Sequence, residues 1–187
     1  MAKGGTEGSL SRAAVEWMIR TVDLSIFIDQ WNQSGYGCDE QFISSFQINA
    51  AYKMPGHFTD KCLKQGHSTE HVSKFAKWAP NDEYMNCASG TFRHSACLMG
   101  IEDLRTLAAY PNLMVNKMIP HFDYSIVDCT AELLHNRTFL GQIDHEIRKE
   151  YYENMVNVLY HKNHLNPDYK LNCTPSYTPW RDLPYPL

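Results

Sequence analysis

The sequence has no long apolar run. Its longest mainly apolar stretches, such as Leu24 to Ile28 and Leu113 to Val115, fall far short of the ~20 residues that cross a bilayer. The chain is therefore not expected to span a membrane by itself. An excess of positive charge is missing too: 17 lysines and arginines face 21 acidic residues for a formal charge of -4, and the basic side chains are scattered. That pattern lacks the electrostatic footprint of a nucleic-acid binder. No Cys-x-x-Cys pair occurs, which removes the usual zinc-ribbon and thioredoxin spacings. Phosphate-binding glycine loops, metalloprotease helices, nucleophile elbows, internal repeats and interdomain linkers are absent as well. Charged residues are only 20 % of the 187, against 43 % hydrophobic and 12 % aromatic, a balance too apolar for a disordered tail. One domain, or a large part of one, with a real core is expected.

Cys38, Cys62, Cys87, Cys97, Cys129 and Cys173 accompany three N-glycosylation acceptor patterns, at Asn32-Gln33-Ser34, Asn136-Arg137-Thr138 and Asn172-Cys173-Thr174. Together they favour the oxidising secretory lumen. The start, Met1 to Gly5, has no apolar run of a signal peptide or anchor, which leaves two alternatives: the lumenal reading is wrong, or this chain is a piece of a longer one.

Ser11 is expected to cap a helix whose apolar face carries Val15, Met18, Ile19 and Val22, and Leu24, Phe27, Ile28 and Trp31 repeat that spacing. A loop over 32–37 leads to a short helix capped by Asp39 and running through Gln47, with Glu40 in its first turn. Pro55-Gly56 marks a turn, and the polar stretch to His71 reads as a surface loop. Val72 to Trp78, a buried Phe92 to Met99 and a very short Leu113 to Lys117 read as strands. Glu102 to Tyr110, Tyr124 to His135 and Gln142 to Lys162 read as helices, the last with Ile143, Ile147, Tyr151, Met155 and Val158 near one face. Residues 166–187 hold five prolines and four aromatics and should run extended. The fold class is α/β, a mixed sheet with flanking helices.

Several blocks taken in order carry more. Gly8-Ser9-Leu10-Ser11-Arg12-Ala13-Ala14-Val15 is followed by Trp31, then Cys38-Asp39-Glu40-Gln41-Phe42 and Met54-Pro55-Gly56. Lys74-Phe75-Ala76-Lys77-Trp78 comes next, then Cys87 to Cys97 ending in His94-Ser95-Ala96-Cys97-Leu98-Met99-Gly100, Asp103-Leu104, and Asn112-Leu113-Met114-Val115-Asn116-Lys117. Over about residues 8 to 138 the chain resembles the C-terminal half of the core-2/I-branching enzyme family of β-1,6-N-acetylglucosaminyltransferases. The resemblance implies a Golgi type II membrane enzyme with a GT-A type fold. Residues 1–140 would form the acceptor-side C-terminal part of the transferase domain, and 141–187 a helix and proline-rich tail. Such enzymes move N-acetylglucosamine from UDP-GlcNAc to a galactose or GalNAc hydroxyl in β-1,6 linkage, with inversion and without a metal. The implied partners are a UDP-sugar donor and a glycan acceptor. The nucleotide-sugar half, the stem and the anchor would lie N-terminal to this chain, so the fold would be incomplete, with an exposed sheet edge and apolar face, and inactive alone.

The chemistry asks for a base, positive charge near the departing diphosphate, and an apolar face for the acceptor sugar. Asp39 and Glu40 are by themselves ordinary first-turn acids favoured by a helix dipole; the resemblance makes Glu40 the general base, in a partly dry pocket that would raise its pKa toward working pH. For the diphosphate, Lys117 matches one of the family's two basic positions. The other falls on His94, where an arginine is common, with Arg93 one residue earlier and, on a strand, on the opposite face. Trp78, by itself an ordinary core tryptophan, matches one that lines the acceptor site, while Pro80 replaces an aromatic two residues on. Cys87 and Cys97 match a short-loop disulfide and Cys129 one that pairs far upstream; Cys38, Cys62 and Cys173 have no assigned partner. Two other readings stay open: a non-catalytic lumenal glycan-binding or assembly module, and a small disulfide-stabilised structural domain.

Overall fold

The computed structural model describes residues 2–5, 7–33, 37–67, 72–79, 87–144 and 146–174. In chain order the helices are α1 (Arg12–Arg20), α2 (Ser25–Asn32), α3 (Asp39–Ile48), α4 (Lys61–Lys64), α5 (Leu104–Ala109), α6 (Tyr124–Phe139), α7 (Lys149–Glu153) and α8 (Val156–Asn163). The strands are β1 (Lys74–Phe75), β2 (Phe92–Arg93), β3 (Ala96–Cys97) and β4 (Met114–Val115). The chain divides into two compact units, one from Met1–Glu70 with Glu153–Ser176, the other around His71–Tyr152. This is mixed α/β, with small sheets among helices. Among the described residues no helix is long and apolar enough to cross a membrane.

In the first unit Ser11 caps α1 as expected, its Oγ accepting the Ala14 N–H at 3.1 Å. The buried face is not the expected one. Ala14 is sealed and Trp17 and Met18 pack beside it, while Val15 and Ile19 stand exposed. Two apolar stripes overlap on this helix, and the one carrying the large indole wins because it buries more area. Trp17, Phe27, Trp31, Phe42, Phe46 and Tyr52 then form one aromatic cluster, with Phe46 wholly buried at its centre. Trp31 and Phe42 meet edge to face at 4.8 Å.

The polar stretch after Pro55-Gly56 is more than a surface loop. Phe58 and Cys62 are buried, and α4 carries Cys62 into a disulfide with Cys173, 111 residues away. Val156, Tyr160 and Leu171 complete this second cluster. The single helix expected over 142–162 is likewise replaced by α7 and α8, with Met155 extended between them at φ -58°, ψ 138°. The break resets the helical phase, so that Tyr151, Met155 and Val156 are all buried while Ile143 and Ile147 remain exposed. Of the expected extended tail, residues 175–187 lie outside those described.

In the second unit, residues 72–79 run extended but change partner midway. Lys74 and Phe75 pair parallel with Met114 and Val115, and Trp78 then bridges antiparallel to Ala96. The core beneath is Phe75, Cys97 and Met99, with Tyr110 stacked on Phe75 at 4.1 Å. α6 begins on Asp123, whose Oδ1 accepts the Ser125 N–H and whose Oδ2 accepts the Ile101 N–H, both at 2.8 Å. One carboxylate thus closes two helical starts, and these hydrogen bonds, Ile101's foremost, hold it below the ordinary aspartate pKa. α6 continues past the expected His135 to Phe139, and Arg137 near its end grips Asp144 with two nitrogens, at 2.8 and 2.7 Å.

Candidate active site

The basic residues singled out above gather at one hairpin. Phe92 to Met99 is not a single strand: Phe92 pairs with Cys97 and Arg93 with Ala96, so His94 and Ser95 form a two-residue turn. Their φ values of 50° and 63° are the left-handed pair of a type I′ turn, whose twist suits the flanking strands. The usual Asn-Gly signal is missing, which is why the segment reads as continuous. His94 therefore occupies an exposed turn, and the opposite-face comparison with Arg93 no longer applies. Lys117 reaches this turn, its Nζ donating to the Arg93 carbonyl at 3.2 Å. Trp78 lies alongside, its backbone bridged to Ala96 and the next residue, Ala79, donating to Ser95 O at 2.9 Å. Trp78 is about half exposed, at 46 %.

Three supports fix the hairpin. Cys87 is bonded to Cys97, as the resemblance implied, and Cys129 is a free thiol. Met99 N donates to Lys117 O at 2.8 Å, tying the strand after the turn to the lysine's own backbone. The third was not seen in the sequence: Lys77, next to Trp78, is buried and paired with buried Asp103 at 2.7 Å. A separation of 26 positions hides the pair from any local pattern.

Glu40 belongs to the first unit, whereas Trp78, Arg93, His94 and Lys117 belong to the second. It sits in the first turn of α3, but the cap is not Asp39: Cys38 holds the cap position without a side-chain hydrogen bond, and Asp39 Oδ1 accepts the Glu40 N–H at 3.1 Å. The glycine-rich start lies along α3, with Ala2 N donating to Ser45 Oγ at 3.0 Å and Gly4 N to Glu40 O at 2.8 Å. Gly4 eases this approach, since a Cβ there would meet Ser44 Oγ and the serine would have to shift. The same segment delivers Lys3, whose Nζ stands 3.0 Å from Glu40 Oε2. That oxygen is sealed from solvent and accepts no well-aligned hydrogen bond, so Lys3 neutralises it by charge without satisfying its directional valence. Gly37, at φ 78°, passes close to the same oxygen, where a Cβ would lie 3.6 Å away.

Among the described residues no three His, Cys, Asp or Glu side chains converge as metal ligands; the positive charge at the hairpin is that of Arg93, Lys117 and, when protonated, His94. Of the glycosylation acceptors, Asn32 ends α2, Asn136 lies within α6, and Asn172 is exposed with Oδ1 accepting the Thr174 N–H at 3.0 Å. Ser34 and Pro80 lie outside the described residues.

The mixed α/β unit with its basic hairpin is consistent with a glycosyltransferase domain. The chain belongs to the Core-2/I-Branching enzyme family, whose sequence model matches residues 1–108. It is 28 % identical over 145 residues to the beta-1,3-galactosyl-O-glycosyl-glycoprotein beta-1,6-N-acetylglucosaminyltransferase 3 of Ovis aries, a match covering 70 % of this chain and 30 % of the relative. It is 25 % identical over 138 residues to the beta-1,3-galactosyl-O-glycosyl-glycoprotein beta-1,6-N-acetylglucosaminyltransferase of Bovine herpesvirus 4 (strain LVR140), with the same coverage. The chain thus spans about 30 % of the length of the curated relatives it matches. No solved structure matches it significantly.

Proposed function

We propose that this chain is the acceptor-side part of a β-1,6-N-acetylglucosaminyltransferase of GT-A type that moves N-acetylglucosamine from UDP-GlcNAc to a galactose or GalNAc hydroxyl, with inversion and without a metal. In this mechanism Glu40 takes the proton of the acceptor hydroxyl as its oxygen attacks the anomeric carbon. The bond from that carbon to the diphosphate breaks on the opposite face, and UDP leaves with the electron pair. Lys117 and Arg93, with His94 when protonated, supply the charge that stabilises the diphosphate. Trp78 offers its indole face to the C–H face of the acceptor ring.

The observation that carries this reading is Lys117 held at 3.2 Å from the Arg93 carbonyl, in a chain of the Core-2/I-Branching family. Two basic side chains at one rigid hairpin are what a diphosphate leaving group requires when no metal assists. The test replaces the matching region of the Ovis aries relative with this chain and measures transfer from UDP-GlcNAc to a galactosyl acceptor. The isolated chain is expected to be inactive and the chimera active; a folded chimera without transfer counts against the proposal.

A further inference from the structure

The first unit carries an acceptor triplet that the reaction above does not use, Asn172-Cys173-Thr174. From Tyr169 to Thr174 the chain forms no helix or strand, and burial alternates residue by residue: Tyr169, Leu171 and Cys173 are half-buried or buried, while Lys170, Asn172 and Thr174 are exposed. A period of two marks an extended segment lying on a surface. It puts the two residues that define the triplet outside and the one between them inside. Oδ1 of Asn172 accepts the Thr174 N–H at 3.0 Å, which leaves Nδ2, the atom that takes a sugar, with no part in the turn. Asn136 is less well placed, half-buried within α6 with its carbonyl accepting the Leu140 and Gln142 N–H groups.

The middle residue ties the triplet to the fold. Cys173 is bonded to Cys62 and is 5 % exposed, and Leu171 packs with Phe58, Val156 and Tyr160 in the cluster around the bond. A glycosylating enzyme has to take the triplet into its own site as a loose peptide. Once the bond has closed, the residue between Asn172 and Thr174 is pinned inside and that peptide no longer lifts away. Before closure it is loose, and two thiols 111 positions apart must first be brought together against chain entropy. The two modifications therefore compete in time rather than in space, because a sugar on Asn172 projects from the face opposite Cys173.

We propose that Asn172 carries an N-linked glycan whose addition competes with closure of the Cys62–Cys173 disulfide. In the first reaction Nδ2 bonds to the anomeric carbon of an oligosaccharide donor linked to a lipid diphosphate. The bond from that carbon to the diphosphate oxygen breaks, the lipid diphosphate leaves with the electron pair, and Nδ2 loses one proton. In the second, the two thiols give two electrons and two protons to a disulfide-bearing oxidant of the secretory lumen, which becomes a dithiol. The proposal rests on the lumenal setting and not on the transferase reading.

The full chain is expressed in mammalian cells behind a cleavable secretion leader, and occupancy of Asn172 is read by mass spectrometry after enzymatic glycan release, which converts an occupied asparagine to aspartate. The unaltered chain is expected to be occupied in part, with Cys62–Cys173 intact in the glycosylated molecules. Cys62→Ser keeps the triplet and frees Cys173, so occupancy should rise toward completion. Cys87→Ser, which opens the other disulfide, should leave occupancy as it was, and Thr174→Ala should abolish it. Should Cys62→Ser misfold, brief treatment of cells making the unaltered chain with a permeant dithiol should give the same rise without a substitution. Asn172 bare in both the unaltered chain and Cys62→Ser, equal occupancy in the two, an equal rise in Cys87→Ser, or a free Cys173 thiol in the glycosylated molecules would overturn the proposal.

Discussion

Lys77 and Asp103 form an ion pair in which Nζ lies 2.7 Å from Oδ1 and both side chains are nearly sealed from water, at 9 % and 3 % exposure. Asp103 Oδ2 also accepts the Gly100 N–H at 3.2 Å, so the pair links the strand bearing Trp78 to the turn that opens α5. A buried charge stripped of its partner cannot recover its hydration. Asp103→Ala is expected to cost about 3–5 kcal/mol in urea unfolding, whereas the double change Lys77→Met with Asp103→Leu should cost far less. A single-variant cost below about 1 kcal/mol would mean the pair is as weak as a surface one.

Asp123 is expected to contribute to the pH dependence of the second unit. Its carboxylate is held below the ordinary aspartate pKa chiefly by the Ile101 N–H, so its contribution to stability is complete above the unfolded value of about 3.9 and is lost as pH falls through the lower, folded value. Asp123→Ala should therefore destabilise the chain at neutral pH and flatten the fall of stability below about pH 4. Thermal melts of both proteins from pH 7 to pH 3 check this. An unchanged acid limb in the variant would show that other carboxylates govern it.

The His94-Ser95 turn holds two non-glycine residues at positive φ, a conformation that costs roughly 1–2 kcal/mol per residue for most side chains. Replacing the pair with Asn-Gly should stabilise the hairpin by about 1 kcal/mol or more, read as a raised urea midpoint. The same variant removes the imidazole from the proposed diphosphate site, so transfer by the chimera should fall even as stability rises. A drop in stability would contradict the turn assignment.

What the sequence made legible follows the range of each signal. Ser11 caps α1 and Pro55-Gly56 turns the chain because both act within a few residues. Tertiary packing decided the rest: Trp17 rather than Val15 faces the core, and Met155 breaks a helix whose apolar spacing looked continuous. The hairpin was hidden because His-Ser is a rare type I′ pair. Cys62–Cys173 was hidden because closing 111 residues leaves no local trace, whereas Cys87–Cys97 came only from family resemblance. At the candidate site, the proximity of Lys117 to Arg93 follows from strand pairing between distant segments, and the Lys3–Glu40 pair depends on glycines letting the N-terminal segment lie on α3.

The most direct measurement is transfer of N-acetylglucosamine from UDP-GlcNAc to a galactosyl acceptor by the chimera carrying Glu40→Gln, beside Lys117→Ala and the unaltered chimera. Removing the general base should lower kcat by about 10²–10⁴-fold with the chimera still folded, and removing the lysine should also slow transfer. A Glu40→Gln chimera that transfers at the unaltered rate would contradict the assignment of Glu40 as base.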